Sequence, residues 1–353
     1  MKSFADRLMD AIDCKHAPSC IGLDPRLEQM PNHIRHDAVK KYGETFEAVA
    51  ACFFEFNKAI IDSVKDQVPA VKPQMAFYEA YGSPGVKAFK DTVDYAKKHG
   101  LLVIEDAKRG DIGSSSEAYS SGHIGKVEFW GSRKECYDVD AITVNPYLGS
   151  DGVMPFVKDC IRYGKGIFVL VKTSNPSSGQ LQDAPSILGH PQLEKLQKKV
   201  VESGSMHLSD VSTTPSDANN AQIGPNYLRV ARLVREWGVE AVGKRGYSSV
   251  GAVVGATYPN EARILREAIP TSFFLVPGYG AQGGSADDAM PCFNSDGYGA
   301  VVSSSRGVIF AYLTEPYKKL HSDTEFDVAA SKAAALMREE LDAAMKKAGK
   351  YPW

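Results

Sequence analysis

The densest run of ionisable side chains is Asp106-Ala107-Lys108-Arg109-Gly110-Asp111-Ile112, which closes the apolar stretch Leu101–Ile104. If that stretch is a strand, successive side chains alternate faces, so Asp106 and Lys108 point one way. Glu105 then points the other way, toward flanking helices, and needs a partner there. A lysine held between carboxylates keeps its proton, because nearby anions favour the ammonium. The result is an acid poised beside fixed negative charge. Gly110 allows the chain to turn and present Asp111 from the following loop. The same residue types would also suit an exposed loop whose salt bridges add little stability. Two more apolar runs end in a charge: Asp24 follows Cys20-Ile21-Gly22-Leu23, and Lys72 follows Val68-Pro69-Ala70-Val71. Each alone is an ordinary polar strand end. With Asp106 and Lys108 they describe a convergent charged site.

A second feature, Pro277-Gly278-Tyr279-Gly280-Ala281-Gln282-Gly283-Gly284, directly follows the apolar run Ser272–Val276. Its glycines let backbone N–H groups approach an anion closely. Arg306 follows the last apolar run, Gly299–Ser303, and a guanidinium there suits a bidentate clamp on phosphate. Gly278-x-Gly280-x-x-Gly283 also fits the dinucleotide fingerprint and keeps an NAD(P) oxidoreductase open. That fingerprint expects an acidic residue roughly 20 positions on. The next run ends instead in Ser303-Ser304-Ser305-Arg306. Thr173-Ser174-Asn175 follows Gly166–Val171 and offers its polar groups either to a polar ring or to a capping turn. His33-x-x-His36 has no Cys or Glu at metal spacing and reads as a surface pair. There is no His-Glu-x-x-His, Gly-x-Ser-x-Gly or P-loop motif.

These residues need elements to hold them. Short apolar runs occur at Ser19–Leu23, Val68–Lys72, Leu101–Asp106, Ala141–Val144, Gly166–Val171, Val250–Ala256, Ser272–Val276 and Gly299–Ser303. Between most of them lie helix-period segments, such as Phe46, Val49, Phe53, Phe56, Ile60 and Val64. Phe4, Leu8 and Ile12 form a helical stripe near the start, and Phe326, Ala330, Ala333, Met337, Leu341 and Ala344 form one near the end. About eight strand–helix units predict an α/β chain folded as a (β/α)₈ TIM barrel, whose active sites form at the C-terminal strand ends. A doubly wound sheet gives similar local signals. We expect one domain over residues 1–353, with a C-terminal helix at about 324–348. A polar stretch at about 174–225 reads as an insertion after the fifth strand, with a helix at Pro191–Val201 and a mobile loop at Ser203–Asn220.

Composition excludes several classes. A formal net charge of −2 argues against a nucleic-acid partner. The longest fully apolar run, Ala48–Phe54, is far short of the ~18 residues that span a bilayer. Residues 1–13 carry Asp6, Asp10 and Asp13 and lack the character of a signal peptide. Cys14, Cys20, Cys52, Cys136, Cys160 and Cys292 show no Cys-x-x-Cys spacing and read as free cytosolic thiols. A cytoplasmic location is expected.

At Asp106-x-Lys108-x-x-Asp111-Ile112 the chain resembles the orotidine 5′-phosphate decarboxylase family. The likeness continues through Cys20–Pro25, Val71-Lys72, Thr143–Gly149, Lys172–Ser177, Pro277–Gly284 and Ser305-Arg306, in the family's order. The Asp-x-Lys-x-x-Asp core is shared with sister barrels, whereas its combination with Lys72 and the Gly-rich run is more specific. The wording is similar to the longer, bacterial-type branch. The resemblance implies a homodimeric barrel with shared active sites that converts orotidine 5′-monophosphate (OMP) to UMP and CO₂ without metal or cofactor. It implies a charged tetrad of Lys72, Asp106, Lys108 and Asp111, with Asp111 and Ile112 reaching into the partner's site. Asp24 and Ser115 would serve the ribose, and Thr173 and Ser174 the pyrimidine. Pro277, Gln282, Gly283 and Arg306 would meet the base edge and phosphate. Two alternatives stay open: a Mg²⁺-dependent sugar-phosphate lyase or decarboxylase of the same barrel type, and a non-catalytic nucleotide-binding barrel.

Overall fold

The computed structural model describes residues 1–189 and 222–353. Eight parallel strands close into a barrel: β1 Ser19–Leu23, β2 Ala70–Pro73, β3 Leu102–Arg109, β4 Ala141–Val144, β5 Gly166–Lys172, β6 Ser248–Val254, β7 Ser272–Val276 and β8 Ala300–Ser304. β1 pairs with both β2 and β8, so the sheet has no free edge. The strands read as continuous apolar runs because both faces are covered. Cys20, Ala70, Ile104, Ala141, Phe168, Val253, Leu275 and Val301 supply one inward side chain from each strand. Ile21, Val71, Val103, Ile142, Val169, Phe274 and Val302 face the helices instead. Pro73 is the last residue of β2, where its missing N–H costs no ladder bond.

The amphipathic stripes decide where helices dock. In the first helix, Phe4–Lys15, the residues Phe4, Leu8 and Ile12 are buried among the inward side chains, with Phe4 edge-on to Phe168 at 5.9 Å between centroids. The backbone N–H of Ala5 donates to Ser249 Oγ near the start of β6. This helix therefore plugs the end of the barrel opposite the strand C-termini. Thr45 caps the helix Phe46–Val64, accepting from the Ala48 N–H. Phe53, Phe56, Ile60 and Val64 of that helix are fully buried. Phe46, on the same sequence stripe, is 58% exposed and meets the Tyr81 ring edge-on in place of the core. The C-terminal helix Phe326–Lys347 buries Phe326, Ala330, Ala333, Met337, Leu341 and Ala344, and Phe326 stacks on Phe56.

Between β5 and β6 the chain makes a turn at Pro176–Ser178 and a short helix at Gly179–Gln182. Strand Pro185–Gly189 then pairs antiparallel with Gln222–Pro225, and helix Asn226–Trp237 returns to the barrel. The expected helix Pro191–Val201 and loop Ser203–Asn220 lie outside the described residues.

Candidate active site

A cavity of about 430 Å³ opens at the C-terminal ends of the strands. Its floor is built on β3. Strict alternation fails there: pairing with β4 passes from Glu105↔Ile142 to Arg109↔Val144, so the end of β3 bulges. Lys108 sits within the bulge at φ +50°, a left-handed conformation that costs a non-glycine residue about 1–3 kcal/mol. Thr143 on β4 supports it by accepting the Lys108 N–H at 2.8 Å. Asp106 and Lys108 thus share the cavity, through a bulge rather than simple pleating.

Asp106 is the hub. Its Oδ2 accepts from Lys72 Nζ at 3.0 Å and from Gln74 Nε2 at 3.0 Å. Its Oδ1 accepts from Lys108 Nζ at 2.6 Å and from Thr143 Oγ1 at 3.1 Å. Burial alone would raise the Asp106 pKa, but the ammoniums of Lys72 and Lys108 outweigh it and hold the carboxyl well below the ordinary carboxylate range. Burial likewise opposes the charge on Lys72, and Asp106 and Asp24 reverse that, holding its pKa above the usual lysine value. Lys72 and Asp106 are therefore a fixed ion pair at neutral pH. The Lys108 side chain is 45% exposed and reaches out from this pair into the cavity.

Behind the strand, Glu105 is fully buried and meets His123 Nδ1 at 2.7 Å, which supplies the partner its position demands. That contact ties β3 to the helix Gly113–His123.

Loops from the other strands complete the walls. Asp24 lines the cavity after β1, and its Oδ1 is buried without a hydrogen-bond partner among the described residues. After β5, the Thr173 N–H donates to Gln182 Oε1 at 2.9 Å, and Gln182 Nε2 donates back to Thr173 Oγ1 at 2.8 Å. Lys172, fully buried, anchors this loop through Asp183 at 2.6 Å and lies 4.3 Å from the Tyr258 ring centroid. Ser174 fits only because two neighbours lack side chains. A Cβ on Gly255 would lie 2.9 Å from Ser174 Cα, and one on Gly278 would lie 3.3 Å from Ser174 Cβ, with Gly278 also at φ +101°.

The Gly-rich loop after β7 closes on itself: Gly280 N–H donates to Gly284 O at 2.8 Å and Gly284 N–H to Gly278 O at 3.0 Å. Its Pro277, Gly278, Tyr279, Ala281 and Gln282 line the cavity. Arg306, exposed at the start of helix Arg306–Ile309 after β8, lines the same side and makes no ion pair among the described residues. The dinucleotide reading of this loop fails, because the loop caps the seventh strand of a closed barrel and leads into the four-residue helix Ala286–Ala289.

The match to known proteins is decisive. Residues 18–315 match the model of the orotidine 5′-phosphate decarboxylase / HUMPS family. The chain belongs to this family. An orotidine 5′-phosphate decarboxylase of Caldicellulosiruptor bescii is 38% identical over 345 residues, covering 98% of this chain and 100% of the relative. One of Rhodopirellula baltica is 41% identical over 345 residues, covering 97% of this chain and 99% of the relative. Among solved structures, an OMP decarboxylase of Leishmania donovani superposes with a TM-score of 0.64 at 27% identity, covering 97% of this chain and 98% of that one.

Of the residues singled out from sequence, the cavity brings together Asp24, Lys72, Asp106, Lys108, Thr173, Ser174, Pro277, Gln282 and Arg306. Asp111, Ile112 and Ser115 stand outside its lining: Asp111 and Ile112 lead into the helix Gly113–His123, and Ser115 lies in its first turn. Asp111 Oδ1 accepts only the neighbouring Ile112 N–H within the described residues, at 2.8 Å, and Ile112 is 54% exposed. Gly283 shapes the Gly-rich loop at φ +95° without lining the cavity. Thr143, Gln74 and Gln182 escaped sequence reasoning. The alternation of Ala141–Val144 places Thr143 on the inward face with Ala141, which is a usable signal. Gln182 carries none, since it reaches Thr173 only through the path of the loop.

Proposed function

We propose that this chain decarboxylates OMP to UMP, with Lys108 delivering the proton to C6 of the ring. The observation that carries this reading is the Lys72–Asp106–Lys108 array: a buried ion pair with a second ammonium projecting into the cavity. Loss of CO₂ leaves an electron pair at C6, which needs fixed positive charge nearby. A preorganised ammonium supplies that charge with little reorganisation. Lys108 is such a group, held by Asp106 on one side and by a backbone bond to Thr143. Asp106 would crowd the departing carboxylate, so that its charge disfavours the bound ground state. The barrier reduction demanded is on the order of 20 kcal/mol. Part must come from the phosphate, remote from C6, whose binding energy is realised in the closed state.

Arg306, Gln282 and the Gly-rich loop would hold that phosphate. Asp24, with a carboxylate oxygen free of partners among the described residues, would take ribose hydroxyls. Thr173 and Ser174 would hold the pyrimidine. Asp111, Ile112 and Ser115 serve the partner's site in a homodimer; the exposed Ile112 side chain supports this, since burial against a second copy suits it better than water. The polypeptide works in the cytoplasm as a biosynthetic enzyme. The Mg²⁺-dependent sister reaction has less support, because the relatives 38% and 41% identical over nearly the whole chain are named orotidine 5′-phosphate decarboxylases.

The direct test is loss of OMP absorbance on adding purified protein, with and without EDTA. Turnover that survives EDTA and is abolished by Lys108→Ala, while UMP still binds, supports the assignment. No turnover by the wild-type protein, or near-normal turnover by the variant, refutes it.

A further inference from the structure

The Gly-rich loop is rigid within itself but needs attachment to the rest of the fold. Its base is held by the Ala256 N–H, which donates to Pro277 O at 2.9 Å. Farther along, the Tyr279 hydroxyl donates to the Glu340 carboxylate on the C-terminal helix. A second tie joins Lys347 of that helix to Asp287, just after the loop, at 2.7 Å. The helix is a firm support, because Met337, Leu341 and Ala344 flank Glu340 with buried side chains. Tyr279 itself lines the cavity beside Gly278, Ala281 and Gln282. Burial, together with the bond to Glu340, keeps the Tyr279 hydroxyl protonated far above neutral pH, so the donor persists.

We infer that Glu340 is a positioning residue for phosphate recognition: through Tyr279 it fixes the Gly-rich loop to the C-terminal helix in its anion-binding shape. The inference rests on the reading of that loop as the phosphate site. Glu340 touches no part of the bound nucleotide. Its effect should fall on ligands that carry the phosphate, because the loop segment that Tyr279 anchors is the one read as the phosphate site.

The test compares UMP with uridine by calorimetry and follows OMP turnover in the same preparations. Glu340→Ala should weaken UMP binding and raise the OMP KM by about five- to tenfold, the scale of one solvent-exposed hydrogen bond. Uridine binding should stay unchanged, and kcat should move less than KM. Tyr279→Phe should show the same pattern. The double variant should be no worse than either single one, since both remove the same bond. Glu340→Gln, whose amide oxygen still accepts from the phenol, should restore UMP binding to within about twofold of wild type. Unchanged UMP binding in Glu340→Ala, equal losses for UMP and uridine, additive losses in the double variant, or a Gln variant as weak as Ala would each overturn the inference. Should the wild-type protein bind UMP but not turn over OMP, the proposed reaction fails, and the calorimetric comparison still decides the role of Glu340.

Discussion

Replacing Lys72 by Met removes an ammonium while keeping most of the aliphatic stem. The side chains of Lys72 and Asp106 are 6% and 13% exposed, with 3.0 Å between Nζ and Oδ2. At an effective dielectric of ~20, that separation corresponds to about 5.5 kcal/mol of Coulombic attraction. Desolvation offsets part of this, and removing one partner of a buried pair costs about 3–5 kcal/mol net. For a chain of this length that is a fall in Tm of roughly 6–10 °C, at about 2 °C per kcal/mol. The pH dependence is more diagnostic. In the wild-type protein Asp106 lies below its ordinary value of 3.8, so it is ionised in folded and unfolded chains alike down to that value. Its stabilising effect is lost only as the pH falls further, through the depressed folded value. In Lys72→Met the largest charge opposing burial is gone while Lys108 stays, and we predict that burial then lifts the folded carboxyl above its ordinary value. The folded variant then binds a proton before the unfolded chain does, so its stability recovers as the pH falls. Urea midpoints near pH 7 and near pH 5 measure this. The deficit relative to wild type should be larger at the higher pH. A deficit that is equal at both, or absent, would show that Lys108, Gln74 and Thr143 hold the carboxylate without Lys72.

Thr143→Val is nearly isosteric, but it takes a donor from Asp106 and the acceptor from the Lys108 N–H. It should lower kcat by about 10–100-fold, from roughly 1.5–3 kcal/mol per charge-assisted bond, while circular dichroism stays native; wild-type kcat would detach the bulge from catalysis. Arg306→Ala should cost about 2–5 kcal/mol in kcat/KM for OMP and little for an analogue without phosphate; equal losses would make Arg306 structural. Lys108→Ala and Asp111→Ala proteins should each be nearly inactive, yet on mixing with verified subunit exchange should regain about one quarter of wild-type activity, one intact site in each of the half that are heterodimers. No regained activity would place Asp111 in its own chain's site.

The barrel was legible because its strands are apolar on both faces, so that Cys20 inside and Ile21 outside both read as strand. Every strand run falls within two residues or so of its observed bounds, apart from the end of β3. That end was hidden because the bulge is set by pairing to Thr143, a residue distant in sequence. The charged centre showed because charges end apolar runs at Lys72 and Asp106. Gln74 and Gln182 did not, being uncharged and meaningful only through what the fold brings beside them. The stripe of Phe4, Leu8 and Ile12 announced a helix but not that it would plug the barrel, since a stripe names a buried face and not what covers it.

Asp106 receives two donors on each oxygen, which fills its acceptor capacity. A visiting molecule that offers a hydrogen there gains nothing, and must displace a lysine, a glutamine or a threonine to be recognised. The cavity floor therefore discriminates by polarity: it greets acceptors through the outward Lys108 ammonium and is closed to donors. Ring substituents that present a lone pair toward Lys108 should bind, and amino groups at the same position should be turned away. For inhibitor chemistry, the carboxylate nearest the reacting centre is a wall, and the lysine beside it is the door.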